Sequence, residues 1–220
     1  MSSANQPVIE FERVTLSVFG RRLARNIALS GFSREAVGIV AQSGFGKTSL
    51  FRAMFGVEGY KLDGGYNFDQ DSAGYVPQRG GLVPWLTLEE NSEVLLNASN
   101  FAPPESLDLS HLGKRKATEL SGGEYQRAVL WIGVESARKC LVLDEPFTSV
   151  DIKRKEQCIQ YLIERMKSRD NCVIVSSHDI NFLYNVCDKI FILRQESSHP
   201  IFVNDIKSET ELKNIILNIF

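Results

Sequence analysis

Val37-Gly-Ile-Val-Ala-Gln-Ser43-Gly-Phe-Gly-Lys47-Thr-Ser-Leu-Phe-Arg-Ala-Met-Phe55 decides how this chain is read. Val37–Val40 is a compact apolar run of the kind buried on both faces of a parallel sheet. It passes through a glycine loop into a helical stretch, Thr48–Phe55. Gly44-Phe45-Gly46-Lys47-Thr48 at that junction has the chemistry of a nucleotide phosphate loop. Its glycines let the backbone wrap an anion and its amides point inward at a helix N-terminus. Lys47 reaches the β and γ phosphates, and the Thr48 hydroxyl ligates Mg²⁺. Position 41 is Ala where the strict G-x-x-x-x-G-K-[ST] string asks for Gly, a departure that costs little if its φ is negative. Taken alone, the segment also reads as a glycine turn that merely starts a helix.

Three further apolar runs end in residues a core strand does not need. Leu141-Val-Leu143 leads into Asp144-Glu145, Val173-Ile-Val175 into Ser176-Ser-His178, and the shorter Tyr75-Val76 into Gln78. Helical stretches over roughly Glu124–Arg138 and Lys153–Lys167 lie between or after them, which is an α/β order. In an open parallel sheet ligands bind off the carboxyl ends of the strands, so these polar termini are expected at one site. Residues 8–32 alternate apolar and polar (Ile9, Phe11, then Val14, Leu16, Val18) and predict an antiparallel sheet with one wet face. Pro84–Glu119 has no convincing buried strand, is interrupted by Pro103-Pro104, and reads as a helical insert.

The chain has 220 residues, with 25 Lys+Arg against 27 Asp+Glu for a net charge of −2. That size fits one domain, or one domain carrying an insert. Hydrophobic residues at 43% and charged residues at 24% suit a chain that buries a core. The balance lacks the basic excess that neutralises a phosphate backbone, so nucleic acid is not the expected ligand. The longest apolar run, Ala128–Val134, is seven residues, far below the roughly 20 of a spanning helix. Met1–Pro7 carries no basic region followed by an apolar stretch, so a cytoplasmic address is expected. The four cysteines, Cys140, Cys158, Cys172 and Cys187, are scattered without a C-x-x-C pair and read as small buried hydrophobes.

Asp144 sits where a Mg²⁺-organising carboxylate belongs, and Glu145 where a residue would orient or deprotonate the attacking water; an acidic pair after a strand is equally a helix-capping turn. His178 falls beside the same phosphate, though a histidine at a strand end is commonly structural. Leu120-Ser-Gly-Gly-Glu-Tyr-Gln-Arg127 is the most distinctive string. Ser121 and Glu124 make a capping box for the following helix. A cap does not require Gly122 and Gly123, whose bare amides at a helix N-terminus suit a second anion. Two phosphate-binding devices in one chain imply ATP held between two chains.

Together these motifs resemble the nucleotide-binding subunit of an ABC transporter, over about residues 8–195 and in that family's order. The resemblance makes Gln42, Ser43, Gly44, Phe45, Gly46, Lys47, Thr48 and Ser49 the Walker A segment. It makes Gln78 the Q-loop glutamine, catalytic and a metal ligand beside Thr48 and Asp144, with Glu145 and His178 catalytic. Leu120–Arg127 becomes the signature and Thr148-Ser-Val-Asp151 the D-loop. Phe19 matches the aromatic that stacks on adenine, or is a strand-end aromatic. Phe45 is bulkier than the residue common between the two glycines. The resemblance implies a P-loop α/β core with an antiparallel β-subdomain (1–83 and 131–220) and a helical subdomain (84–130). ATP and Mg²⁺ are its expected cofactors. Its expected partners are a second such subunit, head to tail, transmembrane permease subunits and a substrate-binding protein, and its expected place is the cytoplasmic face of the cell membrane. Gly81–Asn91 resembles the corresponding segment of nitrate, sulfonate and taurine importers, which favours import, although Trp85 and Leu86 are first expected simply to pack the insert. Leu212, Ile215, Ile216 and Ile219 share one helical face, expected to dock on the chain's own domain. The rival reading is a soluble ABC-type ATPase acting in assembly or as a scaffold.

Overall fold

The computed structural model describes residues 6–42, 44–194 and 197–219; Ser43 and the side chain of Ile219 lie outside the described residues. The N-terminal alternation forms β1 (Ile9–Val18) and β2 (Arg21–Gly31), and β4 (Tyr60–Phe68), from outside that stretch, joins them in a three-stranded antiparallel sheet of order β2-β1-β4. Its apolar face slips by one residue between Phe11 and Val14. The register shifts there against both neighbours, and Arg13 stands at φ 51°. This bulge returns Val14 and Leu16 to the face shared by Ile9 and Phe11, and all four are buried.

The second sheet runs β5 (Ala73–Val76), β6 (Cys140–Asp144), β7 (Cys172–Ser176), β3 (Ala36–Ala41), β8 (Lys189–Arg194) and β9 (Ser197–Phe202). Its neighbours are parallel except β8 and β9. Every residue of β3, β6 and β7 is buried, and alternate side chains feed two cores. Val37, Ile39, Val142 and Ile174 face the antiparallel sheet and α1 (Lys47–Met54). Val40, Leu141, Leu143, Val173 and Val175 face α3 (Gly122–Ser136), α4 (Ile152–Ser168) and α5 (Ile180–Val186). Helix α3 lies so close to β5 that a Cβ on Gly74 would stand 2.2 Å from the Gly133 carbonyl, and one on Gly133 2.5 Å from Val76. The four cysteines are free and buried.

Between β5 and α3 the chain forms α2 (Leu88–Leu96), capped by a Thr87–Glu90 box, and three short 3₁₀ turns. Asn91 is fully buried and organises the segment ahead of its helix. Its Oδ1 accepts from Val83 N at 2.7 Å, and its Nδ2 donates to the carbonyls of Val83, Leu86 and Thr87. The expectation that Trp85 packs the insert is not met: Leu86 is half-buried, but Trp85 is 73% exposed, and the segment is held by the backbone bonds to Asn91. Helix α3 continues across residues 130 and 131 without a break. At the C-terminus α6 (Glu209–Ile219) buries Leu212 and Ile216 in the core that α5 also packs.

Candidate active site

β3 delivers the phosphate loop. Ala41, its last residue, is buried and takes no positive φ, so the departure from the glycine string costs no strain. The loop turns through Phe45 N–H to Gln42 carbonyl (3.1 Å), with Gly44 at φ 80° and Gly46 at φ 100°. Only glycine accepts those angles freely. Gly46 is the N-cap of α1 and offers no side-chain cap, which leaves the first amides of that helix to an anion. The Phe45 ring turns down into the core beneath the loop and stays out of the cleft. Its bulk therefore leaves the phosphate side open. Ser49 follows on the first turn of α1, half-buried and outside the cleft lining.

A cleft of about 270 Å³ lies over this loop, lined by Gln42, Gly44, Gly46, Lys47, Thr48, Gln78, Asp144, Glu145 and His178. The strand ends meet there as expected, since β6, β7 and β3 are neighbours and β5 flanks them. Lys47 Nζ stands 3.1 Å from His178 Nε2 and 3.8 Å from Glu145 Oε1, and His178 Nε2 lies 3.3 Å from the same oxygen. Burial pulls the Lys47 ammonium below the usual lysine range, with Glu145 and Asp144 opposing it. The loop thus holds a desolvated cation whose carboxylate partner is nearby but not in close contact. Glu145 stands at φ 48°, a backbone conformation an L-residue holds only when its surroundings impose it.

Asp144 is fully buried. Its Oδ1 accepts from Ser176 Oγ at 2.7 Å, while its buried Oδ2 has no hydrogen-bond partner. With the Thr48 hydroxyl and the Gln78 amide in the same lining, this bare oxygen completes an all-oxygen donor set suited to a hard divalent cation. Sequence reasoning noted Ser176 only as a polar strand end, because its bonding to Asp144 spans 32 residues of chain.

Other expected site residues stand outside this cleft. Phe19 is 78% exposed on the β1–β2 turn, its ring tilted against Tyr60 at 5.9 Å and close over Gly59. That turn sits near the loop: Leu23, at the start of β2, would touch a Cβ on Gly46 at 3.0 Å. Ser121 caps α3, accepting from Glu124 N at 3.4 Å, while the Glu124 carboxylate accepts from Ser121 N at 2.8 Å. The cap is therefore present, and Gly122 beside it faces open space. A Cβ on Gly123 would stand 3.7 Å from the Ser149 carbonyl, which places the Ser121-Gly-Gly turn beside the loop that ends at Asp151. Asp151 caps α4 by accepting from Arg154 N, and Arg154 Nη1 donates to Asp108 Oδ2 of the insert at 2.8 Å.

A family model described as ABC transporter matches residues 24–148, more than half of the chain. The chain belongs to the ABC transporter family. It is an ATP-binding subunit of that family and an ATPase. The zinc import ATP-binding protein ZnuC of Rickettsia conorii is 28% identical to this ABC subunit over 219 residues, covering 96% of the chain and 93% of the relative. The formylaminopyrimidine import ATP-binding protein ThiZ of Halalkalibacterium halodurans is 28% identical over 203 residues, 87% and 82% of the two chains. A solved ATP-binding subunit of an ABC transporter superposes with a TM-score of 0.82 at 17% identity, covering 96% of this chain and 99% of its own. That likeness concerns the fold, and it includes both the antiparallel sheet and the mainly parallel one.

Proposed function

We propose that this ABC subunit binds Mg²⁺-ATP in the cleft over Gly44–Thr48, hydrolyses it against a second subunit, and thereby drives import through separate transmembrane subunits. One observation carries the reading. Lys47, Gln78, Asp144, Glu145 and His178 line a single cleft around the phosphate loop, while Ser121 and Gly122 stand outside it, exposed at a helix N-terminus, with Gly123 half-buried beside them.

Lys47 and the amides at the start of α1 neutralise the β and γ phosphates. Thr48, Gln78 and Asp144 Oδ2 would hold Mg²⁺, which when bound shields the phosphate charge. As the phosphates take up the Lys47 charge, Glu145 keeps His178 as its neighbour and serves as the base. Water attacks the γ phosphorus, the bond to the bridging oxygen of ADP breaks, and the water proton passes to Glu145. General-base help of this kind contributes about 10²–10⁴-fold. Phe19 stacks on adenine. Ser49 extends the loop's first helical turn, and Ser43 belongs to the same loop. Ser121, Gly122 and Gly123 of one subunit complete the phosphate site of the other in a head-to-tail pair, with Asp151 at the contact.

In this reading residues 84–130 form the helical subdomain and the rest the ATPase core with its β-subdomain. The transmembrane subunits dock between the two, on the cytoplasmic face, where the exposed Trp85 ring lies close to Gln78 in sequence. Among the described residues no helix is long and apolar enough to cross a membrane, which fits a motor whose spans come from other chains. Two relatives named for import support the direction, and a substrate-binding protein is the corresponding outer partner.

Glu145→Gln tests the reading. The amide keeps the side-chain shape but takes no proton, so the variant should bind ATP and accumulate as an ATP-bound dimer on sizing chromatography with Mg²⁺. Wild-type turnover in this variant would remove Glu145 as the base. Failure of the tagged chain to copurify with any membrane subunit would favour a soluble ATPase instead.

A further inference from the structure

Ser176 closes β7 at full burial and pairs in register with Asp144 at the end of β6. Its hydroxyl donates to Asp144 Oδ1 at 2.7 Å and accepts from the Glu145 backbone N–H at 3.2 Å; its carbonyl lies 3.1 Å from the same nitrogen. A serine hydroxyl has one proton. Because its lone pair faces the Glu145 amide, that proton is aimed at Oδ1, and the relay runs in one sense from Glu145 N–H through Ser176 to Asp144.

Two things follow from that direction. The Asp144 carboxylate is gripped by one oxygen, which fixes its rotation and leaves the buried Oδ2 without a hydrogen-bond partner. The Glu145 amide is locked on the hydroxyl and the carbonyl of one residue, at the position where φ is 48°. That conformation aims the Glu145 carboxylate back at Lys47 and His178.

We propose that Ser176 is a positioning residue of the ATPase reaction. It selects Oδ2 of Asp144 as the oxygen offered to the divalent cation, and it holds the backbone turn that places Glu145. This rests on the reading of the cleft as a Mg²⁺-ATP site. Ser176 touches neither nucleotide nor cation; it acts through its two neighbours, as outer-shell partners of metal ligands do. Threonine keeps the hydroxyl and suits a strand, whereas alanine removes the grip and leaves both carboxylate oxygens free to turn.

The test is the affinity for ATP measured in EDTA and again in Mg²⁺, with Mn²⁺ binding to the ATP-loaded chain read by electron paramagnetic resonance. Ser176→Ala should bind ATP in EDTA like the wild type, which also shows that it is folded. It should need about tenfold more Mn²⁺ and lose most of the affinity that Mg²⁺ adds, while Ser176→Thr restores both. Wild-type Mn²⁺ binding in the alanine variant would overturn the proposal. So would a threonine variant that binds ATP in EDTA yet falls as far as alanine. If the wild type itself binds no ATP in either buffer, the cleft reading fails, and the role of Ser176 with it.

Discussion

Gly122→Asp separates stability from function with opposite signs. Gly122 is the first residue of α3, has no positive φ, and nothing lies within 4 Å of where its Cβ would be. An aspartate therefore enters the isolated chain without a clash. It gains about 0.3 kcal/mol of helix propensity over glycine and about 0.3–1 kcal/mol from a carboxylate at the positive end of the helix. The sum, about 1 kcal/mol, should raise the melting temperature by about 2–4 °C for a chain of this size. In the proposed head-to-tail pair the same carboxylate would face the polyphosphate held by the partner. Two unit charges about 4 Å apart at an effective dielectric near 20 repel by about 4 kcal/mol, which is about a thousandfold in the dimerisation constant. The variant should melt higher, bind ATP normally in its own cleft, and show neither ATP-dependent dimers on sizing chromatography nor turnover. Thermal melts, equilibrium ATP binding and phosphate release measured on one preparation check all three. Normal turnover in a stabilised variant would mean that Ser121-Gly-Gly is only a helix cap, and the two-chain site would be refuted.

Two further outcomes follow from the geometry. Lys47→Ala removes the desolvated cation that lines the cleft over the phosphate loop and should weaken ATP binding at least tenfold by titration calorimetry; unchanged affinity would sink the phosphate-loop assignment. Gly133→Ala forces a methyl group to 2.5 Å from Val76 and 3.0 Å from the Tyr75 carbonyl, and should cost about 1–3 kcal/mol of stability in a denaturant melt, a loss that an unshifted midpoint would contradict.

The parts that could be read in sequence are those whose cause is local. The phosphate loop announces itself because strand, glycines, lysine and helix are contiguous, and the ends of β6 and β7 because a polar pair follows a short apolar run. β4 is less legible. Its Gly64-Gly65 pair lowers strand propensity, and the strand exists because β1 offers it a pairing edge. β9 contains Pro200, tolerated at the sheet edge opposite Phe191. The serine relay could not be foreseen, since Asp144 and Ser176 become neighbours only when β6 and β7 align. Asn91 was hidden for a similar reason: nothing in its own helix tells that its amide reaches back to Val83.

Helix α3 joins two regions that a nucleotide would have to set in motion together. It begins at Ser121 in the exposed signature turn and passes over β5 where Gly133 and Gly74 bring backbones into contact. That contact is a natural fulcrum. From Gly133 to Ser121 the helix measures about 18 Å at 1.5 Å per residue, so a tilt of about 10° there swings the signature turn by about 3 Å, the length of one hydrogen bond. A small displacement sensed by β5, whose chain runs on into Gln78 in the cleft, would thus be geared up at the surface proposed to meet the partner subunit. In the proposed two-chain site, stiffness along α3 would then govern how far a displacement at β5 carries to the Ser121 turn.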